Sequence, residues 1–323
     1  MRLFRGSREP MIRVYYASDI HGTEVLWKKF LNAPKFYDAN VLVMGGDITG
    51  KVVVPLVSHD GGVVAEVFGR TEAAVTDQEI EALEARIRGN GMYPQRMSTE
   101  EVARVSALPE SEREAWFERI MLQTFAGWVA LADERLEQLD VRCFVMPGND
   151  DPPSLDVAIE RGRHVEPCDG KVVEFDGYTM LSVGHSNRTP WNSPREVDED
   201  ELYARIAALA EQVPDTSRCV FNLHAPPYRS GLDTAVEVDE ELRPVIVADQ
   251  PHLIPVGSTA VREAIETFQP LAALHGHIHE SRAAARIGRT ICINPGSDYA
   301  TGRIAGCLVN LRDGRATYQF VDG

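Results

Sequence analysis

Leu271-Ala272-Ala273-Leu274-His275-Gly276-His277-Ile278-His279-Glu280 sets three histidines within five residues, directly behind an apolar run. If that run is a strand, side chains alternate at its end, so His277 and His279 point the same way. Two imidazoles on one side of a backbone that has just left a sheet suit a metal ion. Gly276 removes a side chain that would crowd a cation. A short His-rich tract is alone only a weak pointer to metal, and a polar turn is the alternative. The decision rests on whether the chain supplies other ligands.

It supplies them at four more strand ends. Ile12 to Ala17 reads as a buried strand and runs into Ser18-Asp19-Ile20-His21-Gly22. Asp19 and His21, two apart, can face one side, although Asp19 could instead cap the helix expected over Thr23 to Leu31. Asn40 to Met44 is a second buried strand, ending in Gly45-Gly46-Asp47, where the glycines allow a sharp turn. Val141 to Met146 leads into Gly148-Asn149-Asp150-Asp151, and Cys219 to Leu223 leads into His224. Strands that each end in an oxygen or nitrogen ligand are the pattern of a site built at the carboxyl edge of sheets.

These motifs carry a resemblance. Asp19-Ile20-His21, Gly46-Asp47, Gly148-Asn149-Asp150-Asp151, His224 and Gly276-His277-Ile278-His279 are similar to the motif series of the calcineurin-like metallophosphoesterases. That series runs Asp-x-His, Gly-Asp, Gly-Asn-His-(Asp/Glu), His, Gly-His-x-His. The resemblance covers the chain from about residue 11 to 310 apart from a long middle segment. It implies an α/β fold, a four-layer α/β/β/α sandwich of two mixed sheets, with a dinuclear metal site at one edge. It also implies one ion on Asp19, His21, Asp47 and His279, and a second on Asp47, Asn149, His224 and His277. One departure is plain: Asp150 stands where the family usually has His. Some small bacterial and archaeal phosphodiesterases of the family also lack that His, usually carrying Cys.

The chemistry of the donors agrees with such a pair. The two oxygens of Asp47 can be shared between cations, and the neutral oxygen of Asn149 leaves its ion more Lewis acidic. Mixed nitrogen and oxygen ligation without thiolate suits Mn, Fe or Zn rather than calcium. Two such ions about 3.5–4 Å apart can hold a bridging hydroxide and clamp a phosphate for in-line attack. An Asp150 beside them stays ionised and accepts hydrogen bonds without donating. It would also cancel the formal charge of about +1 left on the centre. The expected function is therefore hydrolysis of a small phosphorylated substrate, a phosphodiester ahead of a monoester, with Asp47, Asn149 and Asp150 as the catalytic set. The alternative is a catalytically weak metal-binding scaffold acting through protein contacts. His275 reads as structural.

Composition narrows the partners. The net charge of −16 over 323 residues disfavours broad contact with phosphate backbones or anionic membranes. Five cysteines without CxxC spacing fit a reducing, cytoplasmic setting. The first ten residues read as a loose tail.

About a hundred residues separate Asp47 from Asn149, more than a crossover needs. This insertion, residues 51–140, reads as a hairpin about Asp60-Gly61 followed mostly by helices. Pro55 makes its first strand an edge strand at best. Thr76 with Glu79 and Ser98 with Glu101 are capping boxes. Pro109 opens a long amphipathic helix with Phe117, Met121, Phe125, Trp128, Ala132, Leu136 and Leu139 on one face. Because the segment leaves the strand end carrying Asp47, residues 51 to about 107 should stand beside the site as a wall or lid. A homo-oligomer interface or a core extension is the alternative. Trp191 reads as a loop aromatic covering the core, Pro226 to Pro255 as lining the site, and the last two strands, Ile304 to Leu311 and Ala316 to Val321, as finishing the second sheet.

Overall fold

The computed structural model describes residues 10–323, so the expected tail lies, apart from Pro10, outside the described residues. Two six-stranded sheets stack face to face. The first runs, in spatial order, Arg315–Asp322, Ala305–Arg312, Ile12–Ala17, Val41–Gly45, Arg142–Met146 and Glu166–Pro167. The second runs Ala283–Ile287, Thr290–Asn294, Ala272–Leu274, Cys219–Leu223, Tyr178–Val183 and Lys171–Phe175. Their central strands are parallel, with Tyr16 opposite Val43 and Val43 opposite Phe144 in the first sheet.

Alternation along these strands builds the layers. Val14, Tyr16, Val41, Val43, Phe144 and Met146 point into the space between the sheets, meeting Phe175, Val220, Leu274 and Ile293 from the other side. Tyr15, Ala17, Leu42, Met44, Cys143 and Val145 point outward, against the helices Glu24–Tyr37 and Glu110–Leu136. Leu181, Phe221 and Ala273 point outward from the second sheet against the helices Glu199–Ala210 and Thr259–Phe268. The result is the expected α/β/β/α sandwich. Burial on both faces is why the strands read as unbroken apolar runs.

Several expectations need correction. The hairpin Ala305–Arg312 and Arg315–Asp322 joins the first sheet, antiparallel to Ile12–Ala17, and does not finish the second. Ile12–Ala17 pairs with Val41–Gly45 on one flank only, and the hairpin closes the other. The first helix runs on to Tyr37 through Pro34, because Phe30, Leu31 and Ala33 keep burying its inner face. Trp191 is 61% exposed and covers no core.

Residues 51–97 form more than a hairpin. A four-stranded sheet runs Arg70–Ala74, Gly62–Val67, Val52–His59 and Met92–Met97, backed by the helix Asp77–Gly89. Val52–His59 is therefore an interior strand. It tolerates Pro55 because its ladder to Gly62–Val67 spans only Val57 to His59, leaving Pro55 paired on one flank. Both expected capping boxes are present. The helix Glu110–Leu136 buries Met121, Phe125, Trp128, Ala132 and Leu136, whereas Leu139 lies beyond its end and is exposed. Trp27 and Trp128 stack at 5.9 Å where this helix crosses the first one.

Candidate metal centre

Asp19 and His21, Asp47, Asn149, His224, and His277 and His279 each lie just past the end of a parallel strand, at one edge of the two stacked sheets. The loops converge. Asp19, His21 and His279 place their ligand atoms within 4.8 Å of one another, and so do Asp47, His224 and His277. Asp47 stands between the two groups: its Oδ1 is 3.4 Å from His224 Nε2 and its Oδ2 is 3.8 Å from His21 Nε2. Asn149 Oδ1 is 3.0 Å from His224 Nε2. All seven residues expected from the sequence are thus gathered in one place, five of them buried.

The backbone bends hard to do this. Asp19, His21, Asp47 and His277 adopt φ of 56°, 40°, 50° and 67°, the left-handed region that residues with a Cβ avoid. Such strain persists only where the surroundings over-determine it, and it concentrates at sites of function. Glycine makes the close approach possible. A Cβ on Gly46 would fall 2.6 Å from His224 Nδ1, one on Gly148 would overlap Asp47, and one on Gly276 would overlap Ser18 and Asp19.

Neighbouring groups orient each side chain. His224 Nδ1–H donates to the Gly45 carbonyl at 2.8 Å, which turns Nε2 toward the two carboxylates. Asp19 accepts from the His277 backbone N–H and from Ser18, and caps no helix; Thr23 stands at the helix start. Asp151 accepts from the backbone N–H of Ile48, Thr49 and Gly148, tying the Asp47 loop to the Asn149 loop. Asn294 donates to the Gly276 and Ile278 carbonyls, and Ser297 Oγ donates to the Asp19 carbonyl. Tyr299 packs its ring 4.8 Å from that of His21. His275 turns away: it is buried, with Nδ1 against the Leu223 and Ala225 carbonyls, the structural role expected of it. Of the segment expected to line the site, Leu232 and Thr234 touch the histidine loop through Asn294 and Ser281, while Leu242, Ile246, Val247 and Leu253 lie out in solvent.

The electrostatics favour a cation. Burial penalises charge on Asp47, but His224 above all outweighs it and holds its carboxyl well below the usual range. Burial likewise opposes charge on His224, yet Asp47 and Asp19 push it up to about 10. Burial, with His224 next to it, takes His277 down to about 4, so it is a neutral acceptor at neutral pH. His21 Nε2 and His279 Nε2 stand 3.0 Å apart, two ring nitrogens brought to one point. Oxygen and imidazole donors without thiolate, buried around two carboxylates, fit divalent transition-metal ions.

The expectation for Asp150 needs a correction. Its carboxylate does not stand uncompensated: Lys51 Nζ lies 2.5 Å from Asp150 Oδ2. Ser193 Oγ donates to Asp150 Oδ1 at 2.6 Å, and the Asp150 backbone N–H donates to Asp47 Oδ1 at 3.0 Å. Asp150 also groups with His21 and Asp47 within 4.8 Å. Lys51 had no signal in the sequence, where it only opens the insertion. Residues 51–97 do stand beside the site. Gly91 packs backbone to backbone on Gly22 and Gly50, and the Tyr93 hydroxyl accepts from Gly50 N–H at 2.7 Å.

No family model matches the chain. A curated relative, uncharacterized protein MJ1162 of Methanocaldococcus jannaschii, is 32% identical over 165 residues. That stretch is 50% of this chain and 66% of the relative, just under two thirds of its length. Among solved structures, TT1561 of Thermus thermophilus is similar at a TM-score of 0.52 and 13% identity, over 96% of this chain and 99% of that one. Another crystal structure reaches a TM-score of 0.56 at 15% identity, over 97% and 99% of the two chains. At such identities the likeness establishes the fold alone.

Proposed function

We propose that the protein is a calcineurin-like metallophosphoesterase that hydrolyses a small phosphate ester, a phosphodiester in preference to a monoester. The observation that carries this reading is Asp47, whose two oxygens face histidines of two different donor groups. Asp19, His21 and His279 would hold one divalent ion, Asn149, His224 and His277 another, with Asp47 shared. Such ions supply Lewis acidity and a water acidic enough to attack at neutral pH.

The chain's own residues do the rest. His224, locked through Nδ1 to Gly45, keeps Nε2 turned to the centre. Asp151 fixes the spacing of the Asp47 and Asn149 loops. Asp150 sets a carboxylate against Asp47 and His21, its charge partly offset by Lys51. A phosphodiester carries one charge fewer than a monoester dianion and is repelled less there. The segment 51–97 walls the site on the Gly50 side, limiting the bulk of the substrate. No described helix is long and apolar enough to cross a membrane.

The test is turnover by the purified, Mn²⁺-loaded protein of nitrophenyl diesters, nitrophenyl monoesters and alkyl esters. Diester turnover ahead of monoester, abolished by chelator and restored by Mn²⁺, is the expected result. No turnover with Mn²⁺, Fe²⁺ or Zn²⁺ would overturn the enzymatic reading in favour of a scaffold.

A further inference from the structure

Two charged groups face one another at the rim of the centre, and one of them comes from an unexpected place. Lys51 lies four residues beyond Asp47, where the backbone enters the segment 51–97. Its side chain is 60% exposed, whereas that of Asp150 is only 13% exposed. Asp150 is held on three sides, by Lys51, by Ser193 Oγ and through its own backbone N–H on Asp47 Oδ1. The carboxylate is thus the fixed member of the pair, and the lysine is the member that can reach out from it.

An ammonium carries three donors and no acceptor. One of those donors meets Asp150, so two remain for a ligand. In the esterases this chain resembles, a histidine at position 150 would offer a donor to substrate. Asp150 cannot, but it anchors Lys51 beside the same spot. Resting on the phosphoesterase reading above, we propose that Lys51 is a catalytic residue that donates a charge-assisted hydrogen bond to the departing oxygen, with Asp150 as its positioning residue.

The step balances without any proton leaving lysine. The bond from phosphorus to the leaving oxygen breaks, and its electron pair stays on that oxygen. An oxygen from water bonds to phosphorus on the face opposite the departing oxygen. The protons of that water end, through solvent, on the departing alcohol and on the phosphate. Lys51 contributes a permanent positive charge aimed where negative charge grows, which is worth most when the leaving group holds charge poorly.

The sensitive measurement is the dependence of kcat/KM on leaving-group acidity across a series of aryl and alkyl esters, on Mn²⁺-loaded full-length protein. In Lys51→Met, turnover of poor leaving groups should fall roughly ten- to a hundred-fold, that of nitrophenyl esters much less, so the dependence steepens. Lys51→Arg should recover most of the loss. Lys51→Met with Asp150→Asn should be no worse than Lys51→Met alone, since the two act as a unit. Inorganic phosphate, titrated calorimetrically, should bind Lys51→Met more weakly at unchanged metal content. A loss of equal size for every leaving group, or unchanged kinetics and phosphate affinity, would overturn the proposal while leaving the phosphoesterase reading intact. A wild-type protein inactive on every ester would overturn both.

Discussion

His224 couples both carboxylates of the centre to one proton. It is fully buried, and Asp47 and Asp19 outweigh that burial to push it up to about 10. An unfolded chain would titrate the same imidazole near about 6.5. The folded value is the higher one, so protonated His224 contributes stability to the metal-free fold. That contribution is complete below about 6.5 and disappears as pH rises through about 10. A metal ion must displace the proton before it can use Nε2. Uptake of Mn²⁺ or Zn²⁺ at pH 7.5 should therefore release protons, and affinity should climb steadily between pH 6 and pH 9. Calorimetry in buffers of different ionisation enthalpy measures this directly. Metal uptake with no proton release would mean that His224 does not join the centre. That the seven donor residues gather at one edge was legible in the sequence, because an apolar strand ending in Asp, Asn or His is a local pattern. Lys51 and Ser193 were not, since each reaches Asp150 only through a contact made by the fold across a long sequence separation.

Among the elements, the sheet of residues 52–97 has the most to decide. At Gly91 it meets Gly22 and Gly50 backbone to backbone, with the Tyr93 hydroxyl on Gly50 N–H beside them. A Cβ on Gly50 would run into the Gly91 carbonyl. Gly50→Ala should force this unit away from the metal loops and destabilise the protein by about 1–3 kcal/mol. Hydrogen exchange should then show lost protection across Val52–Met97, with Arg142–Met146 still protected. If the unit is a wall, the same variant should raise turnover of bulky esters relative to small ones. Equal change for both sizes would make it a structural element only. Its edge strands escaped sequence reading for a physical reason. Arg70–Ala74 is polar and largely exposed, Met92–Met97 holds Pro94 and mixes apolar with polar residues without alternation, and both form strands because Gly62–Val67 and Val52–His59 present open flanks to them. The two capping boxes were legible because each is closed by residues three apart.

At the scale of the whole molecule, the central strands followed from continuous apolar runs, because a strand buried on two faces has no polar face to show, whereas the two sheets and four layers were what the resemblance implied. Which sheet the final hairpin joins did not follow, since either sheet could offer an edge, and the open flank of Ile12–Ala17 decided it. That choice brings the chain's last strands alongside its first, so the fold is closed by contacts between residues about three hundred positions apart. The sandwich in turn sets five loops at one edge and gathers seven donors from across the chain. The central claim is that these donors hold two ions sharing Asp47. Elemental analysis of protein loaded with Mn²⁺ and freed of excess tests it most directly. The account predicts about two ions per chain in the wild type and at most one in Asp47→Asn that retains the fold by circular dichroism. One ion or none in the wild type, or two in folded Asp47→Asn, would contradict it.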